Sequence, residues 1–411
     1  MSHSPSDFRS AAGLIPTSEW EPPADPIFGL TTAFRADTRK GRVNLGVGAY
    51  RDADGMPYVL GSVRIAERKL LDQKLNKEYF PILGSQEFGD RASELIFGPL
   101  GSDEELRARS VIVGTPGGTA ALRVGGEWIA LGGPRTVYLS DPTWANHQGV
   151  MIRAGLATDR YPYFDFRQKN VRFQALLESL DTMPSGSVLL LQASCHNPTG
   201  TDLTSAQWKE LGARMLERGL IPFFDLAYQG LGSGLEKDAQ AIHIFLQQGH
   251  SFLVAYSFSK NFGLYGERVG ALAVITGSTQ AAGIAKKQLQ TVVRGNYSNP
   301  PIHGLRVVVE ILRDDELRKQ WHAELETMRQ RINEMRKAFV GGLRAGGFSK
   351  DLDQVASQKG MFSFGFLTVD EVHQLRKQHA VYLPDDGRIN VAGLSPRNMD
   401  AVVEAMLSVG V

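Results

Sequence analysis

The stretch SFLVAYSFSKNFGLYGERVG (251–270) decides the fold. It opens on an unbroken apolar run, Phe252-Leu253-Val254-Ala255-Tyr256, which reads as a buried strand because it lacks the alternation of a half-exposed one. The run breaks into a polar, glycine-containing turn with Ser257, Ser259, Lys260 and Arg268. A lysine at the C-terminal end of an apolar strand stands where open α/β sheets place their sites. Partial burial and nearby cations there lower an amine's pKa and leave it nucleophilic. The plain alternative is a solvated loop lysine, and the crowding of hydroxyls, an amide, a guanidinium and glycines around Lys260 speaks against it.

Outward from that turn, the chain carries more buried runs at the spacing of an α/β sheet. Candidate strands are 111–113, 136–139, 188–192, 221–224, 252–256 and 269–275. Candidate helices between and around them are 119–131, 144–154, 173–179, 205–218, 239–248 and 279–293. Short apolar strands alternating with helices imply a mostly parallel sheet covered on both faces. Before this region, residues 27–34 read as a short turn or helical piece. The run 43–50 reads as a strand in which Gly46 and Gly48 allow a close approach, and helices are expected at 62–76 and 86–97. After residue 313 come a long charged helix to about 343, a strand at 362–366, a helix at 369–379, a strand at 388–391 and a last helix at 397–407. This α+β tail is expected to pack with the N-terminal stretch as a smaller domain, leaving a cleft against the larger one.

Composition narrows the function. The 411 residues carry 45 basic and 44 acidic side chains, a net of +1, so no basic face suggests nucleic acid. No apolar run is long enough for a membrane span. A single cysteine, Cys195, excludes an internal disulfide and suits a reducing, cytoplasmic compartment. Residues 1–26 lack the basic start and apolar core of a signal peptide and read as an extended arm, an organelle-targeting role being the lesser reading.

Three further strand ends carry chemistry. RSVIVGTPGGTAAL (109–122) runs from strand to helix through Pro116-Gly117-Gly118-Thr119, a seat for an anion on free backbone N–H groups, or simply a tight turn. It has neither the Lys of a phosphate-binding loop nor dinucleotide spacing. QASCHNPTG (192–200) ends on Asn197, which Pro198 keeps out of the helical region, so that its amide faces a strand end. His196 and Cys195, adjacent on an extended chain, would point to opposite faces and are given structural roles. IPFFDLAY (221–228) ends on Asp225, a carboxylate that requires a cationic partner such as a protonated ring nitrogen or an Arg if buried, or else caps a helix. Tyr228 can turn its hydroxyl into the same cleft.

With these segments the chain resembles the class I aspartate and aromatic aminotransferases of the fold-type-I pyridoxal-phosphate enzymes. VNLGVGAYR, EYFPILG, TPGGTAALR, DPTWANH, CHNPTG, DLAYQG, SFSKNFGLYGERVG, YSNPPIHG and GRINVAGL match that family in order, over about residues 26–407. The resemblance implies a three-layer α/β fold with a mostly parallel seven-stranded sheet in a large domain (57–318). A smaller α+β domain (27–56 and 319–411) follows from it, as do a homodimer with shared sites and pyridoxal 5′-phosphate as cofactor, with no metal.

The resemblance also implies roles. Lys260 is similar to the lysine that holds the cofactor, Asp225 to the carboxylate at its pyridinium nitrogen, and Tyr228 and Asn197 to the donors at its phenolic oxygen. Trp144 resembles the indole stacked on the ring. Gly117, Gly118, Thr119, Ser257 and Arg268 resemble the phosphate cup, reached by Tyr79 from the other subunit. Gly48 matches a glycine that closes near substrate. Arg388 resembles the fork for the α-carboxylate, and Arg294 the partner-subunit arginine for a side-chain carboxylate. Gln192 departs from the family, standing where many members have His. Asn299 and Thr119 lean towards the aspartate type. The expected activity is amino transfer from aspartate and glutamate to 2-oxoglutarate and oxaloacetate, the alternative being a tyrosine and phenylalanine aminotransferase.

Overall fold

Seven strands make the central sheet of the computed structural model, which describes residues 26–410. They are β1 (Ser110–Pro116), β2 (Thr136–Asp141), β3 (Ala157–Pro162), β4 (Val188–Gln192), β5 (Ile221–Leu226), β6 (Phe252–Ser257) and β7 (Val269–Ile275). Their order across the sheet is β1-β7-β6-β5-β4-β2-β3. All pairings are parallel except those of β7, which runs antiparallel to both β1 and β6. The arm expected at residues 1–26 lies outside the described residues apart from Pro26, which opens the Pro26–Ala36 helix.

The apolar runs become strands because both faces of the sheet are covered. Along β6, Phe252, Val254 and Tyr256 point into one core while Leu253 and Ala255 point into another. β7 divides in the same way, with Val269, Ala271, Ala273 and Ile275 on one side and Leu272 and Val274 on the other. Helices Gly117–Ala130 and Thr279–Asn296 supply the second core, and helices Gln86–Phe97, Ser205–Glu217, Gln240–Gln247 and Ile302–Arg313 the first. Each large apolar side chain so buried contributes about 1.5–3 kcal/mol.

Six strands coincide with expected runs. The seventh, β3, reads ATDRYP, pairs on one side only as an edge strand, and buries only Tyr161, so it has no apolar run to find. The Ile302–Arg313 helix is also absent from the sequence reading. It starts behind Pro301 and contains Val307-Val308-Val309, poor helix formers that tertiary burial overrides. The helix expected at 62–76 spans Gly61–Asp72, the chain turning where Lys74 takes a φ of 50°.

The chain ends meet through short ladders. Val43–Asn44 pairs in parallel with Val381–Tyr382, and Phe362–Ser363 pairs antiparallel with Ile389–Asn390. The long Asp315–Ala345 helix runs across residue 318 and lays Trp321 flat on Phe262, ring centroids 4.4 Å apart. Trp321 also donates from Nε1 to the Asn261 carbonyl at 2.8 Å. Asn261 in turn donates to Tyr256 OH, which donates to Gln229 Oε1, both at 2.7 Å. The residues that follow Lys260 are thereby tied to buried aromatic groups. Among the described residues no helix is long and apolar enough to cross a membrane.

Candidate active site

Parallel strands end together, so the C-terminal ends of β1, β4, β5 and β6 bring Gly117, Gln192, Asp225 and Ser257 to one edge of the sheet. Because β7 runs the other way, its start lies at that same edge and delivers Arg268 there. A cavity of about 630 Å³ opens above this edge. It is lined by Gly48, Gly118, Thr119, Trp144, Asn197, Asp225, Tyr228, Ser257, Lys260, Arg268 and Arg388, all singled out from sequence. Gly117 lies just behind it.

The two glycines keep an anion seat open. A Cβ on Gly117, whose φ is +83°, would fall 2.3 Å from Arg268 Nη2, and one on Gly118 would fall 3.0 Å from Ser257 Cβ. Arg268 itself is aimed by bonds from Nη1 to Ser259 Oγ (3.3 Å) and to the Tyr265 carbonyl (3.0 Å). A guanidinium, two hydroxyls and the N-terminus of the Gly117–Ala130 helix therefore surround a space free of side chains, which suits a phosphate.

Lys260 reaches into the cavity with its Nζ 4.7 Å from the centre of the Tyr228 ring. Burial of the amine lowers its pKa to about 8; Asp225 opposes that shift, and Arg268 and Arg388 add to it. The lysine retains some contact with solvent through the cavity, which leaves the amine reachable. In cofactor-free protein, labelling of Lys260 by an amine-reactive reagent is expected to lose half its maximal rate as the pH falls through about 8. An ordinary lysine would do so near 10.4. Peptide mapping across a pH series reads this, and a midpoint above 10 would contradict the site's electrostatics.

Asp225 meets a histidine, where the sequence reading looked to an Arg or a ring nitrogen and, failing that, a helix cap. Its Oδ2 lies 2.9 Å from His147 Nε2, and His147 Nδ1 lies 2.7 Å from Thr143 Oγ1. His147 is fully buried beneath Trp144, whose ring stands edge-on to it at 5.2 Å. Sequence reasoning quoted DPTWANH without assigning this histidine. The histidine stands in the first turn of the Asn146–Arg153 helix, four residues after Thr143, a spacing that carries no sign of Asp225 as its partner.

Arg388 is held like a built receptor. Its Nη1 donates to Asn197 Oδ1 and its Nη2 to the Gly46 carbonyl, each at 2.8 Å, and the guanidinium lies 4.3 Å over the Phe362 ring. Its Nε is buried with no hydrogen-bond partner among the described residues. A buried donor left unpaired is costly, so a carboxylate arriving here would find part of its binding already prepared. Asn197 Nδ2 also lies 3.4 Å from Tyr228 OH, and burial pushes the Tyr228 phenol pKa up, keeping it a protonated donor. Gly48 faces this group, since a Cβ there would stand 3.2 Å from Phe362 Cζ. Phe362, Tyr265, Asp385 and Asp386 also line the cavity and are not among the sequence candidates.

Two candidates stay apart from the cavity within one chain. Tyr79 is 82% exposed, and Arg294 is an exposed helix residue whose Nη1 donates to Ser298 Oγ at 2.6 Å. The expected geometry of Cys195 and His196 is also corrected. Cys195 has a φ of 52°, so the pair is not extended. Both are buried, the His196 ring lying 2.9 Å from both Ser140 Oγ and Thr199 Oγ1. Among the described residues no group of three or more His, Cys, Asp or Glu is arranged to hold a metal.

The family model described as Aminotransferase class I and II matches residues 40–406. The aspartate aminotransferase of Escherichia coli K12 is 44% identical over 388 residues, covering 94% of this chain and 98% of the relative. The aromatic-amino-acid aminotransferase of Burkholderia pseudomallei, solved covalently bound to pyridoxal phosphate, superposes with a TM-score of 0.93. It is 41% identical, covering 97% of this chain and 100% of that one. The aspartate aminotransferase from Saccharomyces cerevisiae cytoplasm also gives a TM-score of 0.93, at 37% identity with 97% and 98% coverage.

Proposed function

Because this chain belongs to the aminotransferases of class I and II, we propose that it moves the amino group of L-aspartate and L-glutamate to 2-oxoglutarate and oxaloacetate, using pyridoxal 5′-phosphate. The observation that carries this reading is the convergence of an amine of lowered pKa, a His-backed carboxylate and a carboxylate-binding guanidinium in one cavity. The residues present fit the cofactor. Gly117, Gly118, Thr119, Ser257 and Arg268 would hold its phosphate, Asp225 its ring nitrogen, Tyr228 and Asn197 its phenolic oxygen, with Trp144 against its face and Lys260 as covalent anchor. When bound, the cofactor supplies an electrophilic carbon and a ring that accepts an electron pair.

This chain's own groups then divide the work. Arg388 takes the substrate α-carboxylate, assisted by the Asn197 amide, and so aims the Cα–H bond. Lys260 Nζ, free of its anchoring role while substrate is bound, would take the proton from the substrate Cα as the free amine and hold it as the ammonium until it is given back. Burial lowers the amine's pKa and so favours the neutral form that accepts a proton. Asp225 would face the ring nitrogen, held in place by His147.

Arg294 and Tyr79 serve, in this reading, the cavity of a second copy, so the smallest active form is a homodimer. Their exposure and their distance from their own chain's cavity support this. Residues 57–318 form the cofactor-binding domain, and 27–56 with 319–411 the smaller one. The ladder between Val43–Asn44 and Val381–Tyr382 and the bonds from Asn390 Nδ2 to the Val47 and Ala49 carbonyls support that joining of the chain ends. A cytoplasmic setting agrees with the lone buried Cys195 and with the yeast relative.

The deciding experiment is kcat/KM for aspartate, glutamate, tyrosine and phenylalanine, each with 2-oxoglutarate. Aspartate and glutamate are expected to lead; a clear lead for tyrosine or phenylalanine would transfer the activity to the aromatic class. Arg294→Ala is expected to lower kcat/KM for aspartate by about 10²-fold or more, leaving phenylalanine within about threefold, because a carboxylate loses its charge-assisted partner and a phenyl ring does not. Mixing inactive Lys260→Ala with Arg294→Ala should restore part of the aspartate activity in hybrid dimers. Full activity of a monomer would rule out the shared site.

A further inference from the structure

Gln192 is the last residue of β4 and stands opposite Asp225 in the β4–β5 ladder, buried at the cavity wall. Its amide is nevertheless spent elsewhere. Nε2 donates to the Asn197 carbonyl at 2.9 Å, and Oε1 accepts the Asn197 N–H at 2.8 Å. Both ends of one side chain thus close on the main chain of one residue. That pairing sets the orientation of the amide, since the flipped form would oppose donor to donor and acceptor to acceptor.

The rest of the turn has separate supports. Asp202 accepts from the Cys195 and His196 N–H groups, each at 2.9 Å, and the His196 ring is held by Ser140 and Thr199 and stacked on Tyr163 at 4.0 Å. The Asn197 peptide itself depends on Gln192. What Asn197 then does with its side chain is aim Arg388, through the bond from Arg388 Nη1 to its Oδ1.

We infer that Gln192 is a positioning residue for carboxylate recognition: by clamping the Asn197 main chain it aligns the amide that orients Arg388, and it does so without acting on Asp225. This rests on the function proposed above. The clamp needs a donor and an acceptor in one plane at the right reach, which glutamine has and an apolar side chain of equal length lacks. Losing it leaves a buried N–H and C=O unpaired, and the turn shifts to satisfy them.

The test uses the cofactor-loaded protein, Gln192→Met, Asn197→Ala and the double variant. Gln192→Met is expected to raise KM for aspartate and for phenylalanine by the same factor, about tenfold, with kcat changed less. The Kd of succinate, a dicarboxylate without an amino group, should rise alike by calorimetry. The pH midpoint of the cofactor absorbance should stay where it is in the wild type. In the Asn197→Ala background the same substitution should add less than about twofold, because its effect passes through Asn197. An unchanged succinate Kd, a full penalty surviving in that background, or a shifted absorbance midpoint with KM unmoved would each overturn the inference. Should Gln192→Met not fold, Gln192→Leu removes both bonds at similar size without adding a charge, and the same outcomes apply. A wild type that turns over no amino donor would defeat the proposed function instead, while succinate binding still reads the clamp.

Discussion

Lys260→Ala is expected to retain the fold and bind pyridoxal phosphate, yet to lose amino transfer by about 10⁴-fold or more, the upper range for a positioned acid–base group. The reason is local chemistry. Among the residues that line the cavity, Lys260 is the sole lysine, and Arg268 and Arg388 are guanidinium groups that do not give up a proton. Removing Nζ takes away the amine that stands over the Tyr228 ring and faces the substrate Cα. Rapid mixing with aspartate should show substrate binding without conversion to product, and a small added amine should restore part of the rate. Turnover within tenfold of the wild type would remove Lys260 from the proton transfer.

Asp225→Asn is expected to lower kcat by roughly 10²–10³-fold, since leaving one member of a buried charge pair without its partner costs about 3–5 kcal/mol and each 1.4 kcal/mol is tenfold. The amide matches the carboxylate in shape, so the effect reports charge. In the chain's own hydrogen bonds Asp225 uses Oδ2 towards His147. His147→Asn should therefore cost less, about tenfold, because it disturbs only the orientation of the carboxylate. Single-turnover rates for both variants check the order; Asp225→Asn within threefold of wild type would contradict the assigned role.

Strands were legible where both faces are buried, because continuous burial writes a continuous apolar run; β4, β6 and β7 are buried at every position. The edge strand β3 was not, since exposure removes that signature. Lys260, Asp225 and Asn197 were legible because each stands where a buried run gives way to a distinctive polar turn, and Arg388 because GRINVAGL resembles a family motif. His147 was not, since a histidine in a helix shows its partner only when the helix is docked. Gln192 could be flagged as unusual from sequence, but its hydrogen bonds to Asn197 depend on how the turn after β4 folds back.

The sequence by itself determined the buried runs, the glycines at the anion seat and the polar residue types at the strand ends, all properties of neighbours along the chain. Only the tertiary structure decided that β7 lies reversed between β1 and β6, bringing Arg268 to Gly117, and that Arg388 from the C-terminal stretch reaches Asn197. The physical reason is range. Periodicity and turn chemistry act over a few residues, whereas strand order and the meeting of distant side chains follow from packing two cores against one sheet at once.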